Sequence, residues 1–191
     1  MSFQMNKFLK NIRSAFSLYR YWAEEKAVAA LEVAILFPVL LSLMMAVYDL
    51  GQGVVVNQKT ISASQIIGDL IARNEIVDQA LVEDIAIAGQ MALSPYVDNG
   101  DDFGYDIISI QFDEDDEPEE LWRVTNNMTA DDGLIDRADG LGEDGEGVII
   151  VSVVTQYTPF FTDFILDQID MTEVSFLRGR KSSVISCTDC P

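Results

Sequence analysis

Residues 27–48 form one continuous apolar run, from Ala27 to Tyr48, with a single charge, Glu32, near its start. As a helix rising 1.5 Å per residue, the run reaches about 33 Å, enough to cross a hydrocarbon core of ~30 Å. A lone carboxylate inside such a run costs roughly 2.5–3.5 kcal/mol at the helix centre and less near an end. Two readings of Glu32 stand: a functional charge that meets a partner inside the membrane, or a shallow one that reaches the interface.

On the N-terminal side, Phe8, Ile12, Phe16 and Tyr19 recur every three or four residues among Lys and Arg. This predicts a basic amphipathic helix on a membrane surface, or else a disordered positive leader. Beyond the run, Val54, Val55, Ile61, Ile66, Leu70 and Ile71 continue a helical spacing to about residue 73, weakened by Gly51, Gly53 and Gly68. Val77, Leu81, Asp84/Ile85, Ala88 and Met91/Ala92 predict a second helix, with one apolar stripe and an acidic edge, which Ser94-Pro95 ends.

The pattern then changes period. A turn-rich loop over 97–102 leads to a strand from Tyr105 to Phe112. Asp113 to Glu120 reads as an acidic run that does not pack, and Leu121 to Thr125 as a short strand. Asp131 to Gly147, rich in Asp and Gly, reads as a loop. Val148 to Val154 is β-branched, bounded by glycine, and the strongest strand signal in the chain. A short helix opened by Pro159 is expected over Phe160–Ile169, and a last strand over Met171–Leu177. Helices followed by strands indicate an α+β fold, a long N-terminal transmembrane helix with helices packed on a small antiparallel sheet. The expected segments are a basic leader (1–27), a transmembrane stem (28–49), a helical extension with the second helix (50–95), an α+β region with acidic loops (96–181), and a cysteine-containing tail (182–191).

Charge gives the run a direction. Residues 1–26 carry five basic against two acidic side chains, whereas residues 49–191 carry seven against twenty-nine, and the whole chain stands at −20. The positive-inside rule puts the N-terminus in the cytoplasm and the acidic region outside the inner membrane. An anionic domain is a poor partner for nucleic acid. The chain has no histidine, which removes the commonest general base, the usual nucleophile triads and most zinc sites. With no phosphate loop or nucleophile elbow either, no enzyme activity and no cofactor are expected. The run also lacks the order of a cleaved secretory signal, because Ala27-Val28-Ala29 precedes its apolar core and no small-x-small site follows Tyr48.

The segment Ala27-Val28-Ala29-Ala30-Leu31-Glu32-Val33-Ala34-Ile35-Leu36-Phe37-Pro38 resembles the signature of TadE-like proteins. These are minor pilins, or pseudopilins, of the tight-adherence type IVc pilus system. Val151 to Pro159 and Arg178-Gly179-Arg180 are similar to features near the C-terminus of that family. The resemblance covers residues 23–73 and 148–181 and is absent between them. It implies cleavage by a prepilin peptidase between Ala27 and Val28, which makes Glu32 the fifth residue of the mature chain. The family pattern has Gly before the cut where this chain has Ala27. The implied partners are other minor and major pilins, the inner-membrane assembly proteins and the peptidase, with no nucleic acid.

Physical reasoning accompanies the resemblance. Cutting at Val28 creates an ammonium group at the membrane edge, which a carboxylate five residues in can neutralise, most usefully on a neighbouring stem. Pro38 removes one helical hydrogen bond and can kink the stem, although proline is also tolerated in membrane helices. The competing reading is an uncleaved bitopic anchor whose acidic domain binds Ca²⁺ or a basic protein. Ca²⁺ takes six to eight oxygens, but Asp136-Arg137-Ala138-Asp139-Gly140 does not fit the EF-hand pattern and the acidic loops equally suit a solvated surface. Cys187 and Cys190 have thioredoxin-like spacing, yet only Pro191 follows, leaving no helix to activate a thiol. Outside the cytoplasm a structural disulfide is expected, with free thiols the alternative.

Overall fold

The computed structural model describes residues 2–97, 102–162 and 168–191, with side chains from residue 28 onward. The chain divides into two compact units, Met1–Tyr48 and Asp49–Pro191. Its elements in order are α1 (Ser2–Ala72), β1 (Ile76–Val77), α2 (Gln79–Met91), β2 (Phe103–Phe112), β3 (Pro118–Asn126), α3 (Gly133–Asp136), β4 (Gly147–Tyr157), β5 (Ile169–Arg178) and β6 (Ser186–Cys187).

The described residues of the first unit, from Ser2, are helical. The amphipathic reading of Phe8, Ile12, Phe16 and Tyr19 concerns side chains outside the described residues. From Val28 the large apolar side chains are exposed, Leu31 at 62% and Met44 at 65% among them. The segment is long and apolar enough to cross a membrane. A continuous exposed apolar surface of this kind marks a membrane or interaction site.

In the second unit four strands form an antiparallel sheet in the order β3-β2-β4-β5. The part of α1 beyond Asp49 packs with α2 on one face, where Ile67 and Ile71 meet Ile107, Ile149, Val151 and Val153. Ile108, Ile110, Phe112, Val148 and Ile150 occupy the other face, under Leu134 and Ala138. Burial on both faces explains why β4 reads as an unbroken apolar run rather than an alternating one. The architecture is α+β and pilin-like: a long N-terminal helix, apolar and exposed at first, whose later turns lie against an antiparallel sheet.

The strands expected from the sequence are present, each slightly longer. Several other expectations need correction. The buried positions of α2 are Val82, Ile85, Ala86 and Gly89, so Leu81 lies at the margin and Met91 faces outward. Likewise Val56, Ala63, Ile67 and Ile71 of α1 are buried, while Val54 and Val55 are exposed. The cause is close approach. A Cβ at Gly89 would clash with Ile67, and one at Gly68 would clash with Leu177. Small residues decide which faces meet, so the glycine read as a helix-weakening residue at 68 is a packing position.

The acidic run 113–120 is a tight connection. Asp113 Oδ1 accepts from the amides of Asp115 and Glu117 at 2.9 Å each, and residues 118–120 already belong to β3. The 131–147 loop contains α3 and covers one face of the sheet through Leu134. The expected helix over Phe160–Ile169 falls partly on residues 163–167, outside the described ones. Its described residues are not helical, and Ile169 opens β5. The loop at 97–102 likewise falls largely outside the described residues.

The tail is integral to the core. Ile185 is buried in the cluster beneath the sheet, and its carbonyl accepts from Trp122 Nε1 at 2.8 Å and Ser109 Oγ at 3.0 Å. β6 pairs in parallel with β1, and Asp189 Oδ1 accepts from the amide of Gln79 at the start of α2. Cys187 and Cys190 form the expected disulfide. The ring they close is short, so its entropic contribution falls below the ~3 kcal/mol typical of a 15-residue loop. The apolar plug outweighs it. In urea unfolding, Ile185→Ala should lose about 2–5 kcal/mol, and the double Cys→Ser variant clearly less. The reverse order would show that the disulfide, and not the plug, holds the tail.

Candidate functional site

The residues that sequence reasoning singled out lie in two places. Ala27, Val28, Glu32 and Pro38 follow one another along α1, all within the first unit. Val28 and Glu32 are one helical turn apart, a spacing that places both on one side of the helix. Both are exposed, and Glu32 is surrounded in sequence by exposed apolar side chains. The side chain of Ala27 lies outside the described residues. α1 continues through Pro38, whose missing N–H leaves the Ala34 carbonyl without its helical donor. Four residues on, Ser42 Oγ donates to the Val39 carbonyl at 2.9 Å, satisfying its hydroxyl within the helix. The second place is the disulfide, and the sulfurs of Cys187 and Cys190 are consumed by their mutual bond.

A third feature went unread in the sequence. Asp49 is the first residue after the apolar run and is buried, with 4% of its surface exposed. Its carboxylate gathers a loop more than a hundred residues away. Oδ1 accepts from the Phe160 amide at 3.2 Å. Oδ2 accepts from the amides of Phe161 and Thr162 at 3.0 and 2.8 Å, and from Thr162 Oγ1 at 2.9 Å. The Asp49 carbonyl also accepts from Tyr157 Oη at 2.9 Å. Successive amides turned toward one anion form a nest, which disperses the charge and ties the loop after β4 to α1. In the sequence Asp49 only opens the polar stretch Asp49-Leu50-Gly51-Gln52 that follows the apolar run, and nothing in local pattern announces a partner 111 residues on.

A second buried carboxylate, Asp106 on β2, is held by β3. Arg123 Nε and Nη2 bind its two oxygens at 2.8 and 2.6 Å in a fork, Thr125 Oγ1 adds a bond at 2.8 Å, and the Asp131 amide one at 3.2 Å. Arg123 reaches on to Asp132 at 2.7 Å. Burial alone would raise the carboxyl above its ordinary range. The Arg123 fork, the Thr125 hydroxyl and the Asp131 amide outweigh it and hold the carboxyl lower. Every acceptor site on the carboxylate is occupied, so this cluster joins β2, β3 and the 131–132 turn.

Among the described residues, one group of three metal-ligating side chains is close enough to share an ion: Cys187, Asp189 and Cys190. Its two sulfurs are already bonded to each other. In the acidic loops the carboxylates of Asp113 and Asp116 turn on backbone amides, Asp116 accepting from the Asp144 amide at 2.9 Å. Comparison of the chain with protein-family profiles, curated proteins and solved structures finds no match.

Two outcomes check these assignments. Asp49→Asn places an amide donor among donors, so hydrogen exchange at residues 160–162 should quicken roughly tenfold or more while β2 and β4 stay protected. Asp106→Ala should cost about 3 kcal/mol, since Arg123 loses its buried partner but keeps Asp132. Because the folded-state pKa of Asp106 is lowered, its contribution is fully present above the unfolded value near 3.8 and disappears as pH falls through the folded value. The stability gap between wild type and variant, measured by urea unfolding, should therefore narrow below about pH 4.

Proposed function

We propose that this chain is a TadE-like minor pilin, or pseudopilin, that takes part in initiating or assembling a Tad-type adhesive pilus. The observation that carries the reading is the apolar, exposed helix from Val28 to Tyr48 with one carboxylate, Glu32, a single turn after Val28. The pilin-like architecture supports it. In this reading the chain enters the inner membrane with its basic leader in the cytoplasm, and its acidic domain faces the periplasm. A prepilin peptidase removes residues 1–27. The new Val28 ammonium and Glu32 then form the complementary charges by which one stem recognises the next. In low dielectric an unpaired charge is costly, so pairing selects the stacking register. Pro38 lets the stem bend where stems pack. The partners are other pilins and the assembly proteins of the inner membrane.

The intact mass of protein taken from native membranes tests the reading, and the expected mature chain begins at Val28. A chain that keeps Met1 in cells with an active prepilin peptidase would instead be an uncleaved anchor. Glu32→Val should leave membrane insertion intact, since the run only becomes more apolar. Its co-purification with other pilins should fall roughly tenfold, the effect of losing ~1.4 kcal/mol of pairing. Undiminished co-purification would remove the pairing role.

A further inference from the structure

Among the described residues, Phe160 is the most exposed large apolar side chain, at 77%. Its exposure does not come from a loose backbone. Its own amide and the next two donate to the buried Asp49 carboxylate, and the Phe161 ring meets the Phe160 ring edge-on, with centroids 4.8 Å apart. The fold therefore spends a buried anion on presenting a phenylalanine to its surroundings. The anchor is the residue at which the apolar run 27–48 stops.

We infer that the 158–162 loop is a lipid-contacting foot, in which Phe160 enters the headgroup layer of the bilayer that the 27–48 run crosses. The inference rests on reading that run as a membrane span. Three features commit the occupant to lipid. First, the loop is tied to the boundary residue. The Phe160 amide lies 3.2 Å from Asp49, and the interfacial layer outside the hydrocarbon is about 5–8 Å deep on each side, within reach of a phenyl side chain. Second, Thr158-Pro159-Phe160-Phe161-Thr162 itself carries no charge, Asp163 following only at its end, and the Asp49 carboxylate that it packs on is covered by amides and the Thr162 hydroxyl. Third, Leu50, next to the anchor in the chain, is also exposed and apolar. An aromatic at the end of an apolar span suits the interface, where rings meet the boundary between hydrocarbon and water.

The test uses the full chain in phosphatidylcholine nanodiscs, with a nitroxide at Phe160→Cys. The two native cysteines are already joined to each other. References are Leu40→Cys within the run and Asp144→Cys on an exposed acidic loop. Power saturation compares collision with oxygen, which prefers lipid, against a water-soluble nickel chelate. The oxygen-to-nickel ratio at residue 160 should exceed that at 144 by roughly threefold and remain below that at 40, as an interfacial depth requires. A ratio at 160 equal to that at 144, with 40 embedded, overturns the foot and leaves the membrane span standing. Equal ratios at all three positions overturn the span, and the foot with it. Protection of residue 160 from both reagents, growing with the number of chains per disc, assigns the loop to a second copy of the chain instead of lipid.

Discussion

The structure depends on one helix having to satisfy two environments. From Val28 to Tyr48 the side chains of α1, Glu32 and Ser42 apart, are apolar on every side, and none is buried. From Val56 the same helix buries one stripe, at Val56, Thr60, Ala63, Ile67 and Ile71, and leaves the other side exposed. That spacing of three and four residues is the pattern of a helix lying on a protein core. The apolar run before it, lacking such a stripe, is the pattern of a helix surrounded by apolar solvent. The change of pattern falls between Asp49 and Val56, and the rest of the domain is arranged around the second half.

At the helix–sheet boundary the buried hydroxyls of α1 are satisfied within the helix, whereas Thr155 Oγ1 on β4 is buried without a hydrogen-bond partner. Thr60 and Ser64, buried on α1, turn their hydroxyls to the carbonyls of Val56 and Ile61. Lys59 donates to the carbonyls of Ala92 and Ser94 at 3.0 and 2.8 Å, where α2 ends and its carbonyls lack helical donors. Asp78 caps the other end of α2 by accepting from the Leu81 amide. Charge is thus used at both ends of α2, while the acidic surplus is shared between loops and the exposed positions of elements such as Glu83 and Glu119. A domain with so strong a surplus repels its own kind at long range. Under the proposed function, association between chains then falls to the stem, with the acidic surfaces kept apart.

The two buried carboxylates illustrate different uses of an anion. Asp106 is matched by a guanidinium in a forked geometry and serves to join two strands and a turn. Asp49 is matched only by amides and hydroxyls, so it organises backbone. A loop held in this way keeps its shape while exposing Phe160. The pilus reading and the lipid foot both treat the 48–49 junction as the place where the apolar run hands over to the domain.

Much of this was legible from pattern alone. The apolar run, its single carboxylate, the basic N-terminal stretch and the four strands follow from periodicity and composition, because each depends on residues close in the chain. The disulfide follows from two cysteines three apart. Tertiary structure decided what local pattern cannot carry. Which stripe of α1 and α2 faces the core depended on where Gly68 and Gly89 let neighbours approach, a property of the partner surface. The 131–147 segment looked like a loop by its Asp and Gly content, yet Leu134 and Ala138 cover a sheet face, since two well-placed apolar side chains suffice there. Nothing in the local pattern of the 182–191 tail marks Ile185 as filling the core and accepting from Trp122. Asp49 and Phe160 stand 111 residues apart, and only the folding of β4 back along α1 brings carboxylate and amides together. Local chemistry is written in the order of residues, but partnership across a hundred residues is set by the sheet that aligns them.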